Sequence, residues 1–443
     1  MSPSYGLLAL LIPVVAALAL FGRPYALLLL GLALPSRGGW SLAGLRLDPA
    51  DLVFAGILVT YLLRPGIIPR GAFRQVPLRG VWLAIGLIVT LAYFVHPASS
   101  EHITDPARAL YQVYRYCWKP LLYYPLTCML IGDNPHRRWV AIAAIIVGGD
   151  VLALDATIEG YTRPTVRGLL GAKNALGGAL IIPLIFAALS CFSASSRRRF
   201  AFSLASLLLI SRGLLFSSSR GAFVAAFAGL AVMALLMFGQ KRSRRALFQM
   251  AGLACAGFVV LVMLKPDVLM RPNVRHMFSA TQGTQDSNFQ WRLEQRWPHF
   301  WAMAVDNPWL GVGTHVDESL NEDGANTPHN GYLSILVTHG FPVGMLYLVF
   351  ALSALRGAYL VGKRAREPAD RMFGYAALAA IVCFLVHNIV ESTIMIPFVR
   401  QTFWAMLAVT LTAAQGVRYA PAAKRVLARK RATHLRPVLH RGY

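Results

Sequence analysis

Acidic residues are scarce in this chain. Against 43 Lys and Arg stand only 19 Asp and Glu, and all four charged types together make up 14% of the 443 residues. A soluble globular domain carries about 25% charged residues, so that class is excluded. Cysteine is also sparse. Cys117, Cys128, Cys191, Cys255 and Cys383 lie far apart, each in an apolar run, which leaves no disulfide framework and no CxxC metal spacing. No phosphate-binding P-loop and no Gly-rich dinucleotide fingerprint occurs, so a nucleotide-driven reaction within this chain is not expected. There is no repeat of fixed period. The apolar runs do not alternate with polar residues as the strands of a membrane barrel do. The first run lacks a basic n-region and a clear cleavage site, and reads as a retained helix.

Apolar residues are abundant, at 56%. They fall in runs near the length that crosses ~30 Å of hydrocarbon. The runs cover 5–34 (two short helices or one broken one, with a glycine-rich loop after it), 50–63, 80–96, 107–131, 139–155, 169–192, 200–216, 222–238, 246–264, 330–362, 372–390 and 396–415. The fold class is therefore an all-α polytopic integral membrane protein of about 12 transmembrane helices, or 13 if the first run divides. Basic links at 64–80, 134–139, 193–199, 240–245 and 363–371 belong on the cytoplasmic side, as does the basic tail at 416–443. The net charge of +24 reads as this rule plus attraction to anionic membrane lipids, with no nucleic acid implied. Residues 1–443 form one membrane domain, with a large outer loop at 265–329 between two late spans.

The exceptions to the charge rule are informative. Arg163, Arg167, Arg220, Arg271, Arg275, Arg292 and Arg296 sit on the outer side, against the rule. Arg220 lies in SSSRG, a very short turn between two apolar helices. A guanidinium there matches phosphate oxygens bidentately, and the serines and the following helix N-terminus add anion donors. The ordinary alternative is snorkelling to headgroups. Residues 289–304 fit an amphipathic helix with Phe289, Leu293, Trp297, Phe300, Trp301 and Ala304 on one face and Arg292, Arg296 and His299 on another. The run Asp317, Glu318, Glu322, Asp323 reads as a solvated loop rather than a divalent-metal site. His329 opens the next helix at the outer surface, where a neutral imidazole is a good general base. His315 and His339 are weaker candidates. Asp150 and Asp155, in or near a span, suit a proton relay, which keeps a transporter reading open, although no inverted repeat supports it.

The order RGLLGAKNALG, SSSRG, R-x4-W with NPWLGVGT, and PHNGYLSIL-x3-HGFPVG resembles the bacterial O-antigen ligase and polymerase superfamily over about residues 150–400. The resemblance implies a GT-C-like membrane glycosyltransferase of the inner membrane, with its active site on the periplasmic side and the 265–329 loop periplasmic. The donor is a glycan on undecaprenyl diphosphate and the acceptor is lipid A–core oligosaccharide, in lipopolysaccharide biosynthesis. The reaction is inverting, with no cofactor and no metal. It also implies diphosphate binding by Arg220 and Arg292, with Arg296 a close substitute for Arg292 and Arg167 a further cation, and proton abstraction by His329. Arg163, Lys173, Asn174, His315, Asn330 and His339 are possible donor or acceptor contacts. His339 departs from the pattern, which has an acidic or neutral residue before the glycine. An O-antigen polymerase, or an oligosaccharyltransferase acting on protein, would use the same donor.

Overall fold

The computed structural model describes residues 3–34, 40–42, 45–69, 71–95, 113–162, 166–170, 172–238, 290–313 and 327–435. The expected span at 246–264, the acidic run from Asp317 to Asp323, and Arg163, Arg271, Arg275, His315 and Cys255 lie outside them.

The described chain is almost wholly helical. The first apolar run divides at Gly22 into α1 (Pro3–Leu20) and α2 (Pro24–Ala33). The glycine-rich loop leads into a two-stranded antiparallel hairpin, β1 (Trp40–Leu42) with β2 (Leu45–Leu47), where only a loop was expected. Then come α3 (Pro49–Leu63), α4 (Arg79–Val95), a π-turn at Tyr114–Trp118, α5 (Lys119–Ile131), α6 (Pro135–Thr162), α7 (Lys173–Ser193), α8 (Arg197–Ser217) and α9 (Arg220–Phe238). After the large loop follow a π-turn at Arg292–Arg296, α10 (Trp297–Asp306), α11 (Gly331–Arg364), α12 (Pro368–Val390), a 3-10 turn at Thr393–Met395, and α13 (Pro397–Leu435).

Among the described residues six helices, α6 to α9, α11 and α12, are long and apolar enough to cross a membrane. The chain is a polytopic membrane protein. Part of α1, and α2, α3 and α4, are apolar but shorter than the ~20 residues a perpendicular crossing takes.

Helix α7 sits at the centre, against α6, α8, α9 and α12. It is apolar all round, as a helix without a solvent or lipid face should be, and 89% of its spanning window is buried. A Cβ at Gly178 would stand 2.9 Å from His387 Cε1 of α12, and one at Gly221 of α9 would stand 2.6 Å from Val390. Small residues here let three helix ends meet at backbone distance. The starts of α7 and α9 and the end of α12 therefore share one end of the bundle. At the opposite end Arg138 of α6 pairs with Asp370 of α12 at 2.7 Å. This grouping agrees with the alternation read from the charges.

Helix α11 is broken at Gly340 (φ 77°). Pro342 has no N–H to give to Thr338, so the helical ladder opens there. The segment 308–313 fills the gap with its own backbone. Val312 N donates to Val337 O at 2.7 Å, Gly313 N to Thr338 O at 3.1 Å, and Phe341 N to Pro308 O at 2.8 Å. A Cβ at Gly311 would lie 2.6 Å from His339 N, and one at Gly340 would lie 2.6 Å from Trp309 C. Both glycines have positive φ. NPWLGVG and HGFPVG are thus two halves of one backbone joint, which satisfies polar groups that an apolar surrounding would leave unpaired.

Candidate functional site

The start of α7, the first turns of α11, and the link from the end of α12 to the start of α13 line a cavity of about 460 Å³. Lys173, Asn174, Thr327, His329, Ser334, Thr338, Glu391, Ser392 and Thr393 supply its polar lining, and Leu170, Phe300, Val337, Met395, Ile396 and Pro397 its apolar wall.

Glu391 is the centre of the polar network. It is the residue that ends α12, and it is buried, as is Asn388 one turn before it. Asn174 Nδ2 donates to its Oε1 at 2.6 Å. Arg292 reaches the same oxygen from two guanidinium nitrogens, at 3.4 and 3.5 Å, and donates more closely to Val390 O, at 2.8 Å. On the other side His329 Nδ1 stands 3.0 Å from Oε2. An ionised carboxylate only accepts, so the proton on this contact belongs to Nδ1. In its neutral form the imidazole keeps a lone pair on Nε2, on a ring that lines the cavity.

The backbone holds this ring in place. His329 has φ of +49°, an uncommon left-handed geometry for a residue with a side chain. Such strain, of about 1–3 kcal/mol, persists where surrounding contacts fix it. Here Trp297 Nε1 donates to Pro328 O at 3.0 Å and Asn330 N to Ser392 Oγ at 3.0 Å. Asn330 itself is the N-cap of α11, its side-chain oxygen accepting from Tyr332 N and Leu333 N at 3.0 Å each. That oxygen serves the helix start.

The arginine helix departs from its expected face. Arg296 is buried with Phe300 and Ala304, while Leu293 and Trp301 are exposed. Arg296 falls at i−4 and i−8 from Phe300 and Ala304 and so shares their packed face, and the π-turn at Arg292–Arg296 adds a residue to the turn that brings Arg292 towards the same side. Arg296 lies over the Trp291 ring, 4.8 Å from its centroid. Burial and then the like charge of Arg292 push its guanidinium down from the ordinary range, and Glu391 offsets part of this.

The other candidates divide. Lys173 is exposed on the cavity wall. Arg220 is exposed at the start of α9, next to Gly221 and so beside Val390. Arg167 is exposed outside the cavity lining, with its backbone N–H given to Glu159 at 3.0 Å. His339 is buried at the joint in α11 and does not line the cavity. Sequence reasoning missed Glu391, Ser392 and the buried His387. The available signal was an acid in the short link HNIVEST between two apolar runs.

Arg292 and His329 of the late loop thus meet on one carboxylate, with Arg296 within electrostatic reach, and the carboxylate and His329 line a largely apolar cavity. Residues 204–348 match the O-antigen ligase family model. The match spans less than half of the chain, and it supports the resemblance that the motifs carry. The matched segment contains Arg220, Arg292, Arg296, His329 and both halves of the joint. Glu391, Lys173 and Asn174 lie outside it. Proteins of this family are glycosyltransferase-like membrane enzymes. No curated protein matches the chain.

Proposed function

We propose that the protein is an O-antigen ligase. It transfers a polysaccharide from undecaprenyl diphosphate to a sugar of lipid A–core oligosaccharide, at the periplasmic face of the inner membrane. The observation that carries this reading is the convergence of Arg292 and His329 on Glu391, a residue of the cavity lining. An arginine fork suits diphosphate oxygens, and an oriented neutral imidazole suits removal of a hydroxyl proton.

In this mechanism Arg292 and Arg220 hold the diphosphate, with Arg296 as a further cation and Lys173 on the cavity wall. The acceptor hydroxyl oxygen attacks the anomeric carbon from the side opposite the diphosphate. Its proton passes to His329 Nε2 as the new C–O bond forms. The bond to the diphosphate breaks, and its electron pair leaves with the phosphate oxygen, where the cations stabilise it. A diphosphate leaves without protonation by an acid, and the configuration at the anomeric carbon inverts. Phe300, Thr327, Pro328 and His329 of the late loop line one side of this site, and the apolar side of the cavity suits the first isoprene units of the carrier.

The test is transfer by purified protein given an undecaprenyl-diphosphate glycan and lipid A–core. Glycan-extended lipid A supports the ligase. Chain growth on the carrier, with no product on lipid A–core, would replace it with a polymerase.

A further inference from the structure

Glu391 has a geometry that a simple structural acid does not need. Its two oxygens face different functions, Oε2 towards His329 and Oε1 towards Arg292 and Asn174. The Arg292 contacts to Oε1 are long, 3.4 and 3.5 Å, and its short bond is to the Val390 carbonyl. Arg296 adds a second cation within electrostatic reach of the same carboxylate, and His387 faces it from α12. We infer that Glu391 is a positioning residue that links donor binding to the orientation of the base: a diphosphate competes with Glu391 for Arg292, and the released carboxylate then keeps its hydrogen bonds to His329 and Asn174.

This inference rests on the proposed function and extends it to the order of events. Only the Arg292 contacts to the carboxylate are long, so a polyphosphate can take the Arg292 nitrogens from Glu391 while the bond to Val390 O keeps the guanidinium in place. A diphosphate offers several anionic oxygens in the fork geometry of guanidinium, against one shared carboxylate oxygen. Once Arg292 turns to the diphosphate, the Glu391 charge is no longer divided between acceptor-side and donor-side partners. The Nδ1–H of His329 then faces a carboxylate with one cation fewer. The base is best oriented when a donor is present, and an acceptor hydroxyl is deprotonated only beside a glycan that can receive it. Asn174, from α7, keeps the carboxylate from following Arg292.

The distinguishing prediction is a split between binding and turnover. In full-length Glu391→Gln, Arg292 has lost its competitor, so undecaprenyl diphosphate without a glycan should bind about threefold tighter or more, while kcat with the glycan donor falls about 10²-fold, as for loss of an oriented base. Glu391→Asp is one methylene too short to span both partners, and should move both constants in the same directions by less. It carries the test alone if the Gln variant does not accumulate. Binding and turnover that weaken together would make Glu391 a structural residue and overturn the inference, as would an unchanged kcat. Failure of the wild-type protein to bind undecaprenyl diphosphate would overturn the proposed function, and the inference with it.

Discussion

At Lys119 one cation meets two carboxylates, whereas at Glu391 one carboxylate meets an arginine and a histidine, with a second arginine within electrostatic reach. The first cluster is closed. Lys119 Nζ lies 2.7 Å from Asp48 and 3.1 Å from Asp51. Asp48 caps α3 and Asp51 completes the capping box, so both acids sit at a helix N-terminus, where the macrodipole offsets the surplus negative charge. Tyr114 donates to Asp51 at 3.0 Å. Every strong donor there has a near acceptor. The second cluster has more cation than acid, long contacts to Arg292, a strained histidine and a cavity beside it. The comparison teaches that buried charge alone does not mark a site in a membrane protein. Charge that is incompletely balanced, at a cavity, does.

Substitutions can break or sharpen this contrast. The largest effect is expected at the base: His329→Ala should lower transfer about 10³-fold with undecaprenyl diphosphate binding kept, read by single-turnover transfer and equilibrium binding. Lys119→Met should be the opposite case. It leaves two acids without their buried partner, at a cost of about 3 kcal/mol or more, read as a lower midpoint in thermal unfolding, with diphosphate affinity of the folded fraction unchanged. Gly311→Val places a side chain against the backbone of α11, and should lower both thermal stability and transfer by amounts worth about 2 kcal/mol. Arg292→Lys keeps the charge and loses the fork, so diphosphate affinity should fall about tenfold. Arg296→Lys, which weakens the stack on Trp291, should cost about threefold in the same measurement.

Much of the scaffold could be read from the chain. Apolar runs located the helices, and the arginine bias grouped their ends, because both depend on local composition. Arg292 and His329 stood out as polar residues where the topology disfavours or isolates them. Glu391 did not. Its contacts with Asn174, Arg292 and His329 span 217, 99 and 62 residues, and no periodic pattern encodes a meeting at that range. The face of the arginine helix was misread because Arg296, at i−4 from Phe300, shares its packed face, and because a π-turn breaks the 3.6-residue period at Arg292. His339 was one of the weaker site candidates, and its place at a backbone joint follows from two segments that the sequence shows only as glycine motifs.

The central claim is that the cation-rich end of the bundle holds a lipid-linked diphosphate. Equilibrium binding of undecaprenyl diphosphate to the purified protein in nanodiscs, compared between wild type and Arg292→Ala, tests it most directly. The account predicts saturable binding by the wild type and a loss of about tenfold or more in the variant. Equal affinity in the two proteins, or no saturable binding by the wild type, would contradict it.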